Sequence, residues 1–355
     1  MNYQRIYRKV KNRIKLKRQF YKVFKNPHLK ENYILPVSFI TKIDLEPIAA
    51  CNLKCAFCQV PGWKRAKLTN AIKTDTFESI IDQLPGLVDV KLQGMGEPFI
   101  NPRLTELIQI CNKKNLYSHI ASNGTLLTEK KSKEVLDANL TNLTFSIDGA
   151  TKETYENARE GANFNEVLDN IKYITNLRNS DKKFKTQFRI DCLASNDKIF
   201  SEIPQLVNLA SKIGVDRLHI KGRLKIWQKN KIKFKNQEHF DVKENIYLDS
   251  MKNYKEILAK SKKIAKDTKL KLTFGSLEDA KYSSTNHCLW PWDSLFIGTD
   301  GKVVPCCVVG VPETWTMGDL TNQKIKDIWN NDLYISLRKQ LITGEIPNTC
   351  KPCYN

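Results

Sequence analysis

From Phe39 to Gly222 the sequence alternates short apolar runs with amphipathic ones, and this alternation restricts the fold more than any other feature. The strand-like runs are "FITKIDLEPIAA", "VDVKLQG", "LYSHIAS", "LTNLTFSID", "TQFRIDCLAS" and "VDRLHIKG". Between them lie helix-like stretches: "DTFESIIDQL", "NPRLTELIQICNKK" with Pro102 just inside its start, "TEKKSKEVLDAN", "NFNEVLDNIKYITNLRN" and "FSEIPQLVNLASKIG". Strands joined through helices must pair in parallel with right-handed crossovers, as a doubly wound sheet or a partial barrel. Both architectures gather chemistry at the carboxyl ends of the strands. A cysteine loop, "GMGEP", "SNG" and "SIDG" all fall there, so four loops converge on one rim.

At 355 residues the chain can bury one large core or two smaller ones, and 41% apolar with 27% charged content belongs to the soluble globular class. No run of about 18 apolar residues occurs, and the chain begins without the charged, then apolar succession of a secretory signal. The expectation is a cytoplasmic protein. The net charge of +20 is uneven. Residues 1–30 carry Arg5, Lys11, Arg18 and many other cations but no acid, while Ile6, Val10, Ile14, Phe20 and Phe24 recur at roughly helical spacing. A basic amphipathic helix is expected over residues 1–38. Three roles are open to it: packing on the domain, contact with an anionic membrane surface or lipid-linked substrate, and, ranked last, nucleic-acid binding. A second basic run, "KGRLKIWQKNKIKFK", reads as a solvated linker or strand pair. The expected division is a basic extension over 1–38, the α/β part over 39–222, a linker with a helix and strand over 223–280, and a cysteine- and tryptophan-rich domain over 281–355.

Ten cysteines without an export signal point to ligation or burial rather than disulfides. Cys111 and Cys192 stand alone and read as small core hydrophobes. Cys51, Cys55 and Cys58 form C-x3-C-x2-C in the loop after the first strand. Zinc closes its shell with four protein ligands, whereas a [4Fe-4S] cube on three thiolates keeps one iron open. Three thiols on one loop therefore favour the cube.

With Phe57 just before the third cysteine, these residues resemble the radical S-adenosylmethionine superfamily. The resemblance extends over about residues 40–220 and implies a partial (β/α)6 TIM-like barrel. It also implies that the open iron binds S-adenosylmethionine, and that an external donor of flavodoxin or ferredoxin type supplies the electron. Reductive cleavage would give a 5′-deoxyadenosyl radical that takes a hydrogen atom from substrate. Gly94, Gly96 and Glu97 in "GMGEP" resemble the glycine and glutamate loop that meets the methionine amino group, although Met95 interrupts a pure Gly-Gly-Glu. Ser146 and Asp148 in "FSIDG" resemble the fourth-strand element, with Ser146 and Arg159 expected to face the methionine carboxylate, which a planar guanidinium binds well. Asn123 and Asn196 are candidates for the ribose or adenine; the alternative for each is to cap a following helix.

The second cysteine group begins at Cys288, separated from Cys306 by seventeen residues, with a "TDG" turn between two apolar strands folding them together. Cys350 and Cys353 follow as C-x2-C after "IKDIWNNDLYISLRKQL". Four thiolates would fill a site completely, as a zinc knuckle or as a cluster. Cys288, Gly301 and Cys306 with the distant C-x2-C resemble the SPASM extension of the same superfamily, in the shortened twitch form found in aminocyclitol dehydrogenase-like enzymes. That implies a second, auxiliary [4Fe-4S] cluster on Cys288, Cys306, Cys350 and Cys353, leaving Cys307 as a spare thiol.

Two clusters imply a substrate between them and an oxidation, in which the auxiliary cluster accepts an electron. The expected substrate is a carbohydrate-like or aminocyclitol molecule, because about forty residues before the first strand are too few for a leader-binding domain. The alternative is a peptide maturase that crosslinks or epimerises. A non-catalytic iron-sulfur or zinc protein, or a nucleic-acid binder, is the alternative of another class. Trp290, Trp292 and Asp293 are candidates to line the substrate pocket, with core packing as the competing role for the tryptophans. Cys192, at the end of the fifth strand, is the candidate hydrogen donor.

Overall fold

The computed structural model describes residues 11, 40–58, 70–222, 248, 251–275, 288–307, 309 and 315–353. The expected basic helix over 1–38 and the basic run beyond Gly222 lie outside the described residues, apart from Lys11.

In chain order the first half comprises β1 (Lys42–Leu45), α1 (Thr74–Asp82), β2 (Asp89–Leu92), α2 (Leu104–Lys113), β3 (Tyr117–Ser122), α3 (Glu129–Asp137) and β4 (Asn142–Ser146). Then come α4 (Lys152–Ala158), α5 (Phe164–Ser180), β5 (Gln187–Leu193), α6 (Asp197–Ser201), α7 (Ile203–Ile213) and β6 (Arg217–Lys221). The remainder is α8 (Tyr254–Asp267), β7 (Lys271–Phe274), α9 (Trp290–Asp293), β8 (Ser294–Ile297), β9 (Lys302–Val304), β10 (Gly318–Asp319), α10 (Ile325–Trp329) and α11 (Asp332–Thr343). All strands join one sheet in the order β10-β9-β8-β1-β2-β3-β4-β5-β6-β7. Among the described residues every neighbouring pair from β8 to β7 is parallel, whereas the β8-β9 and β9-β10 pairs are antiparallel. This is the expected α/β partial barrel, lengthened at one edge by the C-terminal hairpin.

Local sequence explains the elements. The Asn163 side chain accepts from the Asn165 and Glu166 amides to start α5, whose buried Phe164, Val167, Leu168, Ile171 and Ile174 recur at helical spacing. Burying such a side chain contributes about 1.5–3 kcal/mol. α7 stops at Gly214, whose φ of 81° is a conformation that favours glycine. Two stretches expected as single helices are divided. "FSEIPQLVNLASKIG" breaks at Glu202, where Pro204 opens α7. "IKDIWNNDLYISLRKQL" breaks before Asn331, whose side chain caps α11 through the Tyr334 amide. Pro102 precedes α2 rather than starting it, since Arg103 is the cap residue. The short helix α4 was not expected, and it carries Arg159 at its end.

Alternation along the strands separates two faces. Ile43, Leu45, Val90, Leu92, Ile120 and Phe145 point into the apolar layer beneath the helices and are almost fully buried. The opposite, concave face receives polar residues brought level by the register: Asp44 beside Lys91, Lys91 beside His119, His119 beside Asn142. A partial barrel therefore encloses a polar lumen.

Candidate active site

The three N-terminal thiols lie directly after β1, at the carboxyl rim. Amides pin the loop to the end of α4: Lys54 N–H donates to the Glu160 carbonyl and Ala56 N–H to the Ala158 carbonyl. Asn52 donates to the Thr125 hydroxyl and accepts from the Asn123 side chain at 3.0 Å, joining the cysteine loop to "SNG". Arg159 is buried against this loop. Its guanidinium bonds Asp148 at 2.6 Å, approaches the Cys55 sulfur at 3.8 Å and lies over the Phe57 ring at 5.7 Å. Burial opposes the charge on Arg159, but Asp148, Cys55 and Tyr155 together outweigh it and hold the guanidinium above its ordinary pKa. Burial pushes the Cys55 thiol up to about 12, against the pull of Arg159.

Asp148 does not face an open site. Its Oδ1 accepts from the Leu193 amide at 2.6 Å and it is 1% exposed, so it positions Arg159. The turn that follows is fastened by Glu202, which accepts from the Ala150 and Thr151 amides and from the Thr154 hydroxyl. Breaking the expected long helix at Glu202 thus frees a carboxylate to shape the Arg159 support.

Glu97 is likewise engaged from within. It accepts from the Phe99 amide, the Ser122 hydroxyl and the Asn123 amide, and it is 2% exposed. Burial pushes its carboxyl up while those three donors pull it back. With both carboxylate oxygens engaged in this way, the Glu97 side chain clamps the rim. Gly96 is required, because a Cβ there would lie 2.4 Å from the carbonyls of Ile48 and Ala50. Gly94 leaves room for Glu46, whose Oε1 accepts from the Met95 amide and Oε2 from the Thr299 amide of the C-terminal hairpin. Asn123 is consumed in the network with Asn52 and Thr125. Asn196 caps α6 through the Ile199 amide, the alternative role expected for it. Ser146 ends β4 half-buried on the concave face, level with Asp191. Cys192 is corrected as a hydrogen-donor candidate, since it is fully buried in the apolar layer behind the sheet.

The second thiol group lies at the opposite, amino end. Cys288 precedes α9 and β8, whose Ser294 is level with Lys42 at the start of β1. Cys306 and Cys307 follow β9, which runs back in the same direction, and the Cys353 amide donates to the Cys350 carbonyl in the terminal turn. Burial pushes Cys288 up to about 12, and the neighbouring Cys353 and Cys350 add to it. Burial raises Cys350 to about 11, with Cys353 again adding. Burial also raises Cys307 to about 11; Asp44 adds to this while Lys42 and Lys91 oppose it, so Cys307 borders the lumen. This end is enclosed by packing. The buried Arg338 donates to the Pro291 and Trp329 carbonyls and stacks on Trp329 and Tyr334. Trp292 is core, while Trp290 lies beneath the Lys42 ammonium at 4.6 Å.

Glu46, Asn52, Glu202 and Lys91 escaped the sequence reading. The signal for Glu46 was present, because Lys42, Asp44 and Glu46 place charge at every second position of an otherwise apolar strand.

Soft thiols in two groups at opposite ends of a parallel-sheet lumen suit iron-sulfur ligation on a partial-barrel scaffold. The sequence model of the Radical SAM superfamily matches residues 45–190, and that of SPASM, an iron-sulfur cluster-binding domain, matches residues 288–354. The chain belongs to the radical S-adenosylmethionine superfamily and carries a C-terminal SPASM domain. Among its relatives is the tungsten-containing aldehyde ferredoxin oxidoreductase cofactor-modifying protein of Pyrococcus furiosus, 22% identical over 83% of this chain and 82% of that one. The AdoMet-dependent heme synthase of Methanosarcina barkeri is 24% identical over 87% of this chain and 86% of that one. Among solved structures, SuiB of Streptococcus suis bound to precursor peptide SuiA aligns with a TM-score of 0.67 at 18% identity, covering 88% of this chain and 69% of that one. The cofactors are accordingly S-adenosylmethionine, a [4Fe-4S] cluster and an auxiliary iron-sulfur cluster. No helix among the described residues is long and apolar enough to cross a membrane.

Proposed function

We propose that Cys51, Cys55 and Cys58 hold the [4Fe-4S] cluster that binds S-adenosylmethionine, and that the substrate is oxidised in the lumen below it. Bound there, these groups supply a 5′-deoxyadenosyl radical that removes a hydrogen atom from carbon. The observation that carries this reading is the placement of two thiol groups at opposite ends of one polar lumen. The donors fit a cluster on each side: three thiols beside a guanidinium at the rim, and Cys288, Cys306, Cys350 and Cys353 at the amino end. Burial favours the neutral thiols of Cys51, Cys55, Cys288 and Cys350 in the metal-free protein, so loading must displace their protons.

The chain's own residues do the positioning. Arg159, fixed by Asp148, offers a charge at the rim for the methionine carboxylate, with Phe57 beneath it. The loop of Gly94 and Gly96 exposes backbone groups to the methionine amine, and Glu97 holds that loop against β3. Ser146 lies on the lumen wall, within the space where substrate would meet the rim. In an oxidation the substrate would give up a hydrogen atom at the rim and a proton to a base, and Cys288, Cys306, Cys350 and Cys353 would hold the auxiliary cluster whose chemistry is to accept the remaining electron. The ion-paired lining of the lumen favours a small polar substrate, carbohydrate-like in its hydrogen bonding. A peptide is the second reading, favoured by the shared fold with SuiB, whose structure holds a precursor peptide.

Anaerobic reconstitution followed by iron and sulfide analysis and an assay for 5′-deoxyadenosine tests the proposal. About eight irons per chain and product formation are expected. Zinc without sulfide, or undiminished product from Cys55→Ala, would overturn it.

A further inference from the structure

The lumen contains more cation than its acids can pair. Asp89 is taken by His119 at 2.8 Å, with Asn142 on the other ring nitrogen at 2.7 Å. Asp191, near the rim, is taken twice, by Arg189 at 2.6 Å and by Lys221 at 2.6 Å. Asp44 is fully buried and is paired with Lys42 at 3.2 Å. Lys91 stands level with Asp44 on one side and His119 on the other, on the concave face. Its ammonium makes no hydrogen bond or ion pair with any described residue, although Asp44, Lys42, Cys307 and Asp89 lie around it.

An ammonium withdrawn from water without a partner costs several kcal/mol unless something satisfies it. Asp44 is the nearest source of compensation, but Lys42 already holds it, and Lys42 itself adds positive potential at the same point. Two cations thus share one carboxylate, in a position between the rim thiols and Cys307. We propose that the substrate carries an oxyanion, a carboxylate or a phosphate, and that Lys91 with Lys42 behind it holds that group deep in the lumen. This rests on the reading of the lumen as the substrate cavity. An oxyanion here would give the ammonium its missing charge-assisted hydrogen bond. It would also orient the substrate, anion toward the amino end and oxidisable carbon toward the rim. Burial lowers the pKa of Lys91, and a bound oxyanion would reverse that, so binding and protonation reinforce each other.

The test uses the reconstituted enzyme with inorganic phosphate and, separately, acetate, each against chloride at matched ionic strength. Binding is read as protection of Lys91 from amine acetylation, mapped by peptide mass spectrometry, and as a rise in unfolding temperature. At least one oxyanion is expected to protect Lys91 selectively, and the one that does so names the group. In Lys91→Met the anion-dependent rise should require roughly tenfold more anion or vanish, whereas Lys91→Arg should retain it. Exchanging this half-buried, unpaired cation for an apolar side chain is not expected to impair folding. Failure of both anions to protect Lys91, or an unchanged response in Lys91→Met, overturns the proposal. Formation of 5′-deoxyadenosine by the wild-type preparation is measured in parallel. If it forms and no anion binds, only the Lys91 assignment falls; if it does not form, the underlying reading has failed.

Discussion

The two thiol regions are built by different means. The rim loop is held by hydrogen bonds among short polar side chains: Asn52 with Asn123 and Thr125, Glu97 with three donors, Glu202 with the turn that supports Arg159. The amino-end group is held by packing around Trp292, Trp329 and Tyr334, with Arg338 tying two carbonyls through the middle. A site that must admit a cofactor needs donors and charges fixed in advance, because an open face cannot rely on enclosure. A site whose ligands are all protein thiols needs only to be surrounded.

Paired cysteine substitutions would break the comparison most sharply. Cys55→Ala should lower 5′-deoxyadenosine formation by at least about 10³-fold, or ~4 kcal/mol. Cys350→Ala should preserve cleavage without substrate while substrate oxidation is lost. Equal damage to both activities from Cys350→Ala would show that the two regions are not separable in the way their construction suggests.

Stability separates the two supports next. Arg159→Met leaves Asp148 buried without its partner and should cost about 3–5 kcal/mol in denaturant unfolding, together with S-adenosylmethionine affinity. Arg338→Met leaves the Pro291 and Trp329 carbonyls unpaired and should cost about 2–4 kcal/mol, with cofactor affinity unaltered. Glu97→Gln keeps the shape of the clamp but weakens three bonds to a carboxylate, for an expected loss of about 1–2 kcal/mol.

The smallest effect is a pH dependence of the metal-free protein. Cys55 and Cys288 have folded pKa values of about 12 against an ordinary 9.0, so the fold favours the neutral thiols. That contribution is complete below about pH 9 and is lost as pH rises from 9 toward 12, by about 1 kcal/mol per thiol at pH 10. Thermal unfolding across pH 7–10 checks it, and loading with iron and sulfide should abolish the trend.

Much of this was legible in the sequence. Each of the six strand-like runs from Phe39 to Gly222 contains a strand, because burial on one or both faces imposes a period that propensity alone does not. The cysteine spacings marked the thiol groups, and "SIDG" marked Asp148. What stayed hidden depended on contacts distant in sequence. Glu202 shapes a turn fifty residues away, and nothing local distinguishes it from a solvated helix acid. The excess of cation in the lumen appears only when register sets Asp44, Lys91 and His119 side by side. The "GMGEP" motif marked the Glu97 loop, but not the bonds from Ser122 and Asn123 that hold its side chain.

Glu46 joins the rim loop to the C-terminal hairpin through the amides of Met95 and Thr299. These two bonds do not depend on the side chains at the partner positions, although the Thr299 hydroxyl adds a bond of its own to the Asn70 carbonyl. In a chimera that exchanges the C-terminal domain, the Glu46 bond to the incoming hairpin would persist with any residue at position 299 that keeps an amide N–H, which proline alone lacks.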